Sequence, residues 1–413
     1  MKKVIYNPAQ ILTINTNSAN IKRGKDQSDV GLLTNRSIVT EDGIIRGIVK
    51  TNKVNKDDYD ELIDVTGKVV LPGLIECHTH SVFAGSRAEE FRMKLDGIAY
   101  EEIARQGGGI LSTVKSIRQA SVEELVKSTK PKIDYFISQG ITTLEIKSGY
   151  GLSFYDEIKM LQVIRHLNEI YPIDIVSTFL GAHTYPPEYK NDRKKYIDII
   201  VNEMIPHVAE QNLAEFCDAF CESTAFNAKE VDEIFTAAKN NNLELKLHTE
   251  QFNNIGGLDV ALKHNAISVD HLEVFKDEQI ELFKNSETVA VVLPGVSFFL
   301  DYDYAPARKL IENNIPVALA TDYNPGSSHI ANLNFIMSLA ALKMKLSIEE
   351  VITSVTINAA RAVNRETEIG SIEVGKKADL AIFDCDNYAE IVYQVGKNIC
   401  EMTIKEGKVV YKN

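Results

Sequence analysis

The sequence contains no tryptophan, only five cysteines in 413 residues, and no excess of basic charge. Each shortage excludes something. Cys77, Cys217, Cys221, Cys385 and Cys400 are odd in number and scattered, so no disulfide framework organises the chain and a reducing, cytoplasmic setting is expected. Cys217 and Cys221 stand just inside the spacing of a zinc site, but no second Cys or His pair follows them, and they read as buried thiols. Acidic residues outnumber basic ones by 58 to 45, a formal net charge of −13, whereas a surface for nucleic acid or anionic membrane needs clustered Lys and Arg. An anionic ligand would therefore have to meet a local cation. No apolar run approaches the ~20 residues of a membrane span, and the lysines after Met1 are not followed by the apolar stretch of an export signal.

What is present is a globular composition, 44% hydrophobic and 25% charged, in a chain long enough for one large domain and a smaller one. From residue 69 to 324, short β-branched runs alternate with longer stretches at helical period, the pattern of repeated βα units around a parallel sheet. Strands are predicted over 69–77, 142–147, 174–182, 215–221, 243–248, 266–270, 288–293 and 316–321. Helices are predicted over 153–170, 228–241 and 276–284, the second opened by a capping box of Asn227 and Glu230. Eight such strands suggest an α/β fold, a closed (β/α)8 TIM-like barrel over 69–369. The ends, 1–68 and 370–413, carry short strands and turns, as in GIIRGIV (43–49) and GKKADLAIFD (375–384). They are expected to combine into one small β-sandwich domain. A late helix over 347–364, capped by Ser347 with Glu350, would link the two parts.

The chemistry is concentrated at strand ends. His78 and His80 follow an apolar run at i and i+2, on one face of a strand end, where both rings can enter a barrel mouth. A lone His-x-His pair is a modest signal. It gains weight because His183, His248, His271 and Asp322 each close a different predicted strand, at the end where barrel active sites are built. Imidazoles with a carboxylate and no thiolate suit Zn²⁺ or Fe²⁺, and an open position would hold water with its pKa lowered toward ~7. Hydrolysis of an amide-like bond is the implied reaction. His166, His207, His264 and His329 fall in helical or loop contexts and read as solvent or packing residues.

The segments LPGLIECHTH (71–80) and GSIEVGKKADL (370–380), with the strand ends at His248, His271 and Asp322, resemble the amidohydrolase superfamily. Within it, FAGSR (83–87), GGGI (107–110), EIKSGYGL (145–152), GAH (181–183) and DYNPGS (322–327) resemble the imidazolonepropionase family. That resemblance implies one Zn²⁺ or Fe²⁺/Fe³⁺ per subunit, held by His78, His80, His248 and Asp322. Arg87, Tyr150, His183, Gln251, Asn324, Gly326 and Ser327 would surround a small anionic substrate in a homodimeric enzyme. The implied reaction is the hydrolytic opening of 4-imidazolone-5-propanoate to N-formimino-L-glutamate in histidine degradation. Water activated at the metal would attack the cyclic amide carbonyl.

Arg87 offers a cation for the propionate, His183 a donor to the lactam oxygen, and Asp322, assisted by His271, a proton acceptor. One departure bears on this. Related mononuclear deaminases, and some imidazolonepropionases, carry Glu three residues after the fifth-strand histidine; here that residue is Gln251, which cannot shuttle a proton, and the preceding Glu250 is expected to face away. Lys147 reads as a structural or supporting residue, and the Gly107–Gly109 run as a loop near the mouth, since it lacks the Lys-Ser/Thr of a phosphate loop. The alternative activity is that of another mononuclear amidohydrolase, a cytosine- or guanine-type deaminase.

Overall fold

The apolar run 69–77 is two strands with Gly73 as the joint. Val69–Pro72 pairs antiparallel with Leu380–Phe383 and parallel with Gln10–Leu12, in a six-stranded sheet, whereas Leu74–Glu76 begins the barrel. Gly73 donates its N–H to the Asp379 carbonyl, and a Cβ there would lie 2.2 Å from Thr142 Oγ1, so the turn admits no side chain. The continuous strand predicted over 69–77 is therefore corrected: the chain changes sheets within it.

The computed structural model describes residues 1–98, 102 and 108–413. Eight parallel strands form the central sheet: β1 Leu74–Glu76, β2 Ile141–Lys147, β3 Asp174–Ala182, β4 Phe216–Cys221, β5 Glu244–Thr249, β6 Ser268–His271, β7 Val289–Val292 and β8 Val317–Leu319. They are ordered β8 to β1 with sequential neighbours paired, and helices connect them, as expected for a TIM-like barrel. Between β8 and β1 there is no continuous ladder. The barrel is drawn shut there by the Thr79–Tyr323 bridge, by His80 N–H donating to the Tyr323 carbonyl at 3.0 Å, and by the Glu76 carboxylate. That carboxylate accepts from the backbone N–H groups of His78 (3.1 Å) and Thr321 (3.1 Å). Closure thus brings the loops after β1 and β8 into register, and those loops carry the first histidine pair and Asp322.

Outside the barrel, Ile44–Lys50, Arg36–Glu41, Lys2–Tyr6 and Glu61–Asp64 form a four-stranded sheet. The six-stranded sheet draws on both chain ends, with Ile5, Ile11, Ile38, Val70, Leu380 and Ile404 in a shared apolar cluster. The single helix predicted over 347–364 is two, Ile348–Ser354 and Ile357–Ala362. They are broken at Thr356, whose non-helical backbone is accompanied by a bond from its hydroxyl to the Ile352 carbonyl. The helix predicted over 276–284 is likewise a 3-10 turn, Asp277–Gln279, followed by Ile280–Phe283. The Gly107–Gly109 run begins at Gly107, which lies outside the described residues. All five cysteines are free, and among the described residues no helix is long and apolar enough to cross a membrane.

Candidate metal centre and active site

Strand alternation aims every second residue of β2, β4, β5 and β6 into the barrel, and towards the ends of those strands the inward residues include a polar, buried set: Glu145, Lys147, Asp218, Lys246, His248 and Asp270. Above them His78 and His80 enter from just beyond β1, and Asp322 from beyond β8. Asp322 Oδ1 lies 3.5 Å from His78 Nε2 and 3.4 Å from His80 Nε2, and His80 Nε2 lies 3.4 Å from His248 Nε2. Metal–ligand bonds of about 2.1 Å in a tetrahedron put neighbouring ligand atoms about 3.4 Å apart, so the spacing fits one zinc-sized ion. His78 Nε2 and Asp322 Oδ1 are buried without a hydrogen-bond partner, as groups aimed at a cation should be.

The protonation states agree with that geometry. His78 Nδ1 lies 2.6 Å from Asp270 Oδ2 and His248 Nδ1 lies 3.0 Å from Asp218 Oδ2. A carboxylate only accepts, so the proton of His78 sits on Nδ1, hydrogen-bonded to Asp270, and its Nε2 lone pair points at the cluster; Asp218 beside His248 Nδ1 favours the same tautomer there. Burial pushes His78 down to about 4, with Lys147 adding to the effect, and also lowers His248, which keeps both rings in the neutral, ligating form.

Around this centre, His183 stacks on His80 with centroids 5.4 Å apart and planes at 16°, and Tyr150 lies 5.4 Å from His183 and 5.6 Å from His80. His183 Nδ1 donates to the Gly149 carbonyl at 2.9 Å, and burial pushes its pKa down to about 3. In that neutral tautomer Nε2 is an acceptor, suited to a ligand N–H, which corrects the expectation that His183 donates to a lactam oxygen. His271 ends β6, with its ring 5.5 Å from His248 and its Nδ1 3.4 Å from Glu273 Oε1. His271 (φ 89°), Leu272 (φ 71°) and Asp322 (φ 48°) all occupy left-handed backbone, the kind of local strain that rigid surroundings impose at functional sites.

Arg87 offers Nε and Nη2 to Glu90 at 2.9 and 2.8 Å, which leaves the Nη1 edge against Gly326; a Cβ on Gly326 would meet Nη1 at 2.1 Å. Gly326 is thus required for the guanidinium to approach the loop after β8. Asn324 shapes that loop. Its Nδ2 donates to the Asp322 carbonyl and to Ser327 Oγ, and its Oδ1 accepts from the N–H groups of Gly326 and Ser327.

The amidohydrolase-family model matches residues 102–411. This chain belongs to the amidohydrolase family. It is 45% identical to an imidazolonepropionase of Alkaliphilus oremlandii (strain OhILAs), covering 98% of this chain and 97% of that protein. It is also 45% identical to one of Geobacillus thermodenitrificans (strain NG80-2), covering 97% and 96%. Among solved structures, an adenosine deaminase from Xanthomonas campestris with bound zinc superposes with a TM-score of 0.73 at 16% identity, over 98% of this chain and 92% of that one, a likeness of fold.

For this amidohydrolase the family and the donor set together indicate a metal ion in the centre. The expected His and Asp residues from five strand ends meet at one mouth, and Tyr150 joins them from a sixth; His166, His207, His264 and His329 do not join the cluster, His264 pairing instead with Asp232 at 2.6 Å. Glu250 turns away to accept from Gln279 at 2.7 Å, as its expected orientation required. Gln251 donates from Nε2 to the Tyr302 hydroxyl at 3.1 Å, which leaves its amide oxygen free to accept from a ligand.

Sequence reasoning missed Asp218, Asp270, Glu90, Glu273 and Tyr302. Asp270, two residues after Ser268 and just before His271, carried a signal in strand alternation; the others become visible only as partners of residues already singled out. If the Arg87 Nη1 edge, which has no hydrogen-bond partner among the described residues, binds a carboxylate, Arg87→Gln is expected to raise KM about 10–100-fold with little change in kcat, the cost of a charge-assisted pair. Steady-state kinetics with the carboxylate-bearing substrate would read it, and an unchanged KM would remove Arg87 from the binding site.

Proposed function

We infer that this chain hydrolyses 4-imidazolone-5-propanoate to N-formimino-L-glutamate, the ring-opening step of histidine degradation. The observation that carries the inference is the identity of 45% to imidazolonepropionases over almost the whole of both chains. Water adds across the ring amide: its oxygen joins the carbonyl carbon, the C–N bond breaks, and the leaving nitrogen takes a proton.

Zn²⁺ or Fe²⁺, one per chain, is the proposed ion, held by His78, His80, His248 and Asp322; the spacing near 3.4 Å and the two buried, unpartnered ligand atoms support it. Such an ion, when bound, acidifies water and polarises a carbonyl. The remaining work falls to the chain. Asp322, next to both first-strand histidines, accepts the proton of the attacking water and returns it to the leaving nitrogen, with His271 assisting. His183 Nε2 and the Gln251 amide oxygen accept from ring N–H groups, and Arg87 takes the propionate. Tyr150 flanks the ring between His80 and His183.

The test is direct. Purified, metal-replete protein is expected to convert imidazolone propionate to N-formimino-L-glutamate, followed by NMR of the product. No conversion, together with ammonia release from cytosine or guanine, would assign the chain to the deaminases instead.

A further inference from the structure

Beneath the metal cluster lies a second group of potential ligands. Asp218, His248 and Asp270 place ligand atoms within 4.8 Å of one another, all buried, an arrangement that could hold a cation of its own. It already contains one. The Lys147 ammonium lies 2.9 Å from Asp218 Oδ2 and 3.6 Å from Asp270 Oδ2, and donates to Glu145 Oε1 at 3.0 Å. Every member of this set is fully buried.

The two carboxylates that Lys147 bridges are the ones behind the ligand imidazoles, Asp270 behind His78 and Asp218 behind His248. Each carboxylate has a further anchor, Ser268 Oγ to Asp270 Oδ1 at 2.6 Å and Ala219 N–H to Asp218 Oδ1 at 2.7 Å. Neither anchor carries charge. Two buried anions side by side repel, and without a cation between them they would separate or protonate, and the imidazoles they orient would turn with them.

We propose that Lys147 is the built-in second cation of this site, a positioning residue that fills the place of a second ion and, through Asp218 and Asp270, locks His248 and His78 in the ligating orientation. The strands arrange this directly: Lys147 ends β2, Asp218 lies on β4 and Asp270 on β6, so one ammonium ties three alternate strands at the level just below the metal ligands. Lys246 provides the contrast in contact. It is equally buried and donates to Glu145 Oε2 at 2.8 Å and to the Cys77 carbonyl at 3.0 Å; its charge helps keep Asp270 ionised, but it makes no hydrogen bond or ion pair to Asp218 or Asp270 that would hold either carboxylate in place.

The proposal rests on the metal centre assigned above, and the experiment separates the two. Metal-stripped wild type, Lys147→Met and Lys246→Met are titrated with Zn²⁺ against a chelating indicator, and the Co²⁺-substituted proteins are examined by visible absorption. Lys147→Met is expected to weaken Zn²⁺ binding by about 10–100-fold, the usual effect of losing a partner that orients a ligand, and to alter the Co²⁺ bands; Lys246→Met is expected to change affinity by less than about threefold. Wild type that binds no metal would overturn the metal centre itself. Wild type that binds while Lys147→Met binds equally well, or Lys246→Met that loses as much as Lys147→Met, would overturn the role of Lys147. Should Lys147→Met fail to fold, Asp218→Asn and Asp270→Asn keep side-chain volume and are each expected to weaken Zn²⁺ by about tenfold; unchanged affinity in both would also overturn it.

Discussion

Asp322→Asn is expected to lower kcat by about 10²–10⁴-fold, the range for loss of a positioned proton-transfer group. The substitution keeps the shape of a buried side chain but removes the anion aimed at the His78 and His80 nitrogens, so the residue loses its capacity to accept a proton. Part of the loss comes from weaker metal binding, and assays at saturating Zn²⁺ isolate the proton-transfer share. Gln251→Ala is the matched comparison. Its amide holds a place beside Tyr302 without any proton to move, so KM is expected to rise while kcat stays within about threefold. Equal losses of kcat in the two variants would show that the proton roles are wrongly divided.

Chelation is expected to abolish turnover, by at least on the order of 10³-fold, with recovery on adding back about one equivalent of Zn²⁺ or Fe²⁺. The same titration should raise the thermal midpoint, because an ion that binds only the folded site stabilises it by about 2.7 kcal/mol at a hundredfold excess over Kd. The physical source is the set of buried lone pairs: His78 Nε2 and Asp322 Oδ1 have no protein partner to compensate for the water they give up. Full activity in exhaustively chelated protein, confirmed metal-free by elemental analysis, would contradict the assignment. Comparing the recovered rates with the two ions identifies the better cofactor.

Much of the site was legible because its residues sit at punctuation points of a strongly periodic chain. His183, His248, His271 and Asp322 each follow an apolar strand, and eight such strands imply a mouth onto which their ends open. The departure at Gln251 was legible too, since amide against carboxylate is a matter of residue type alone. Boundaries were read less well where one apolar run served two sheets: nothing in the run 69–77 announces that Gly73 must pass under Thr142, because the obstacle lies about 70 residues away in sequence.

The sequence by itself determined the fold class, the strand ends that carry chemistry, and the donor types gathered there, since these depend on local periodicity and on side-chain identity. Only the tertiary structure decided which charges face each other. Closing eight strands into a barrel fixes which inward residues share a level, and that set Lys147 between Asp218 and Asp270, Arg87 against Gly326, and His78 and His80 beside Asp322. His78 and His80 are close neighbours in the chain, but a metal centre arises only when residues some 170 and 240 positions further on are carried to within 3.5 Å of them.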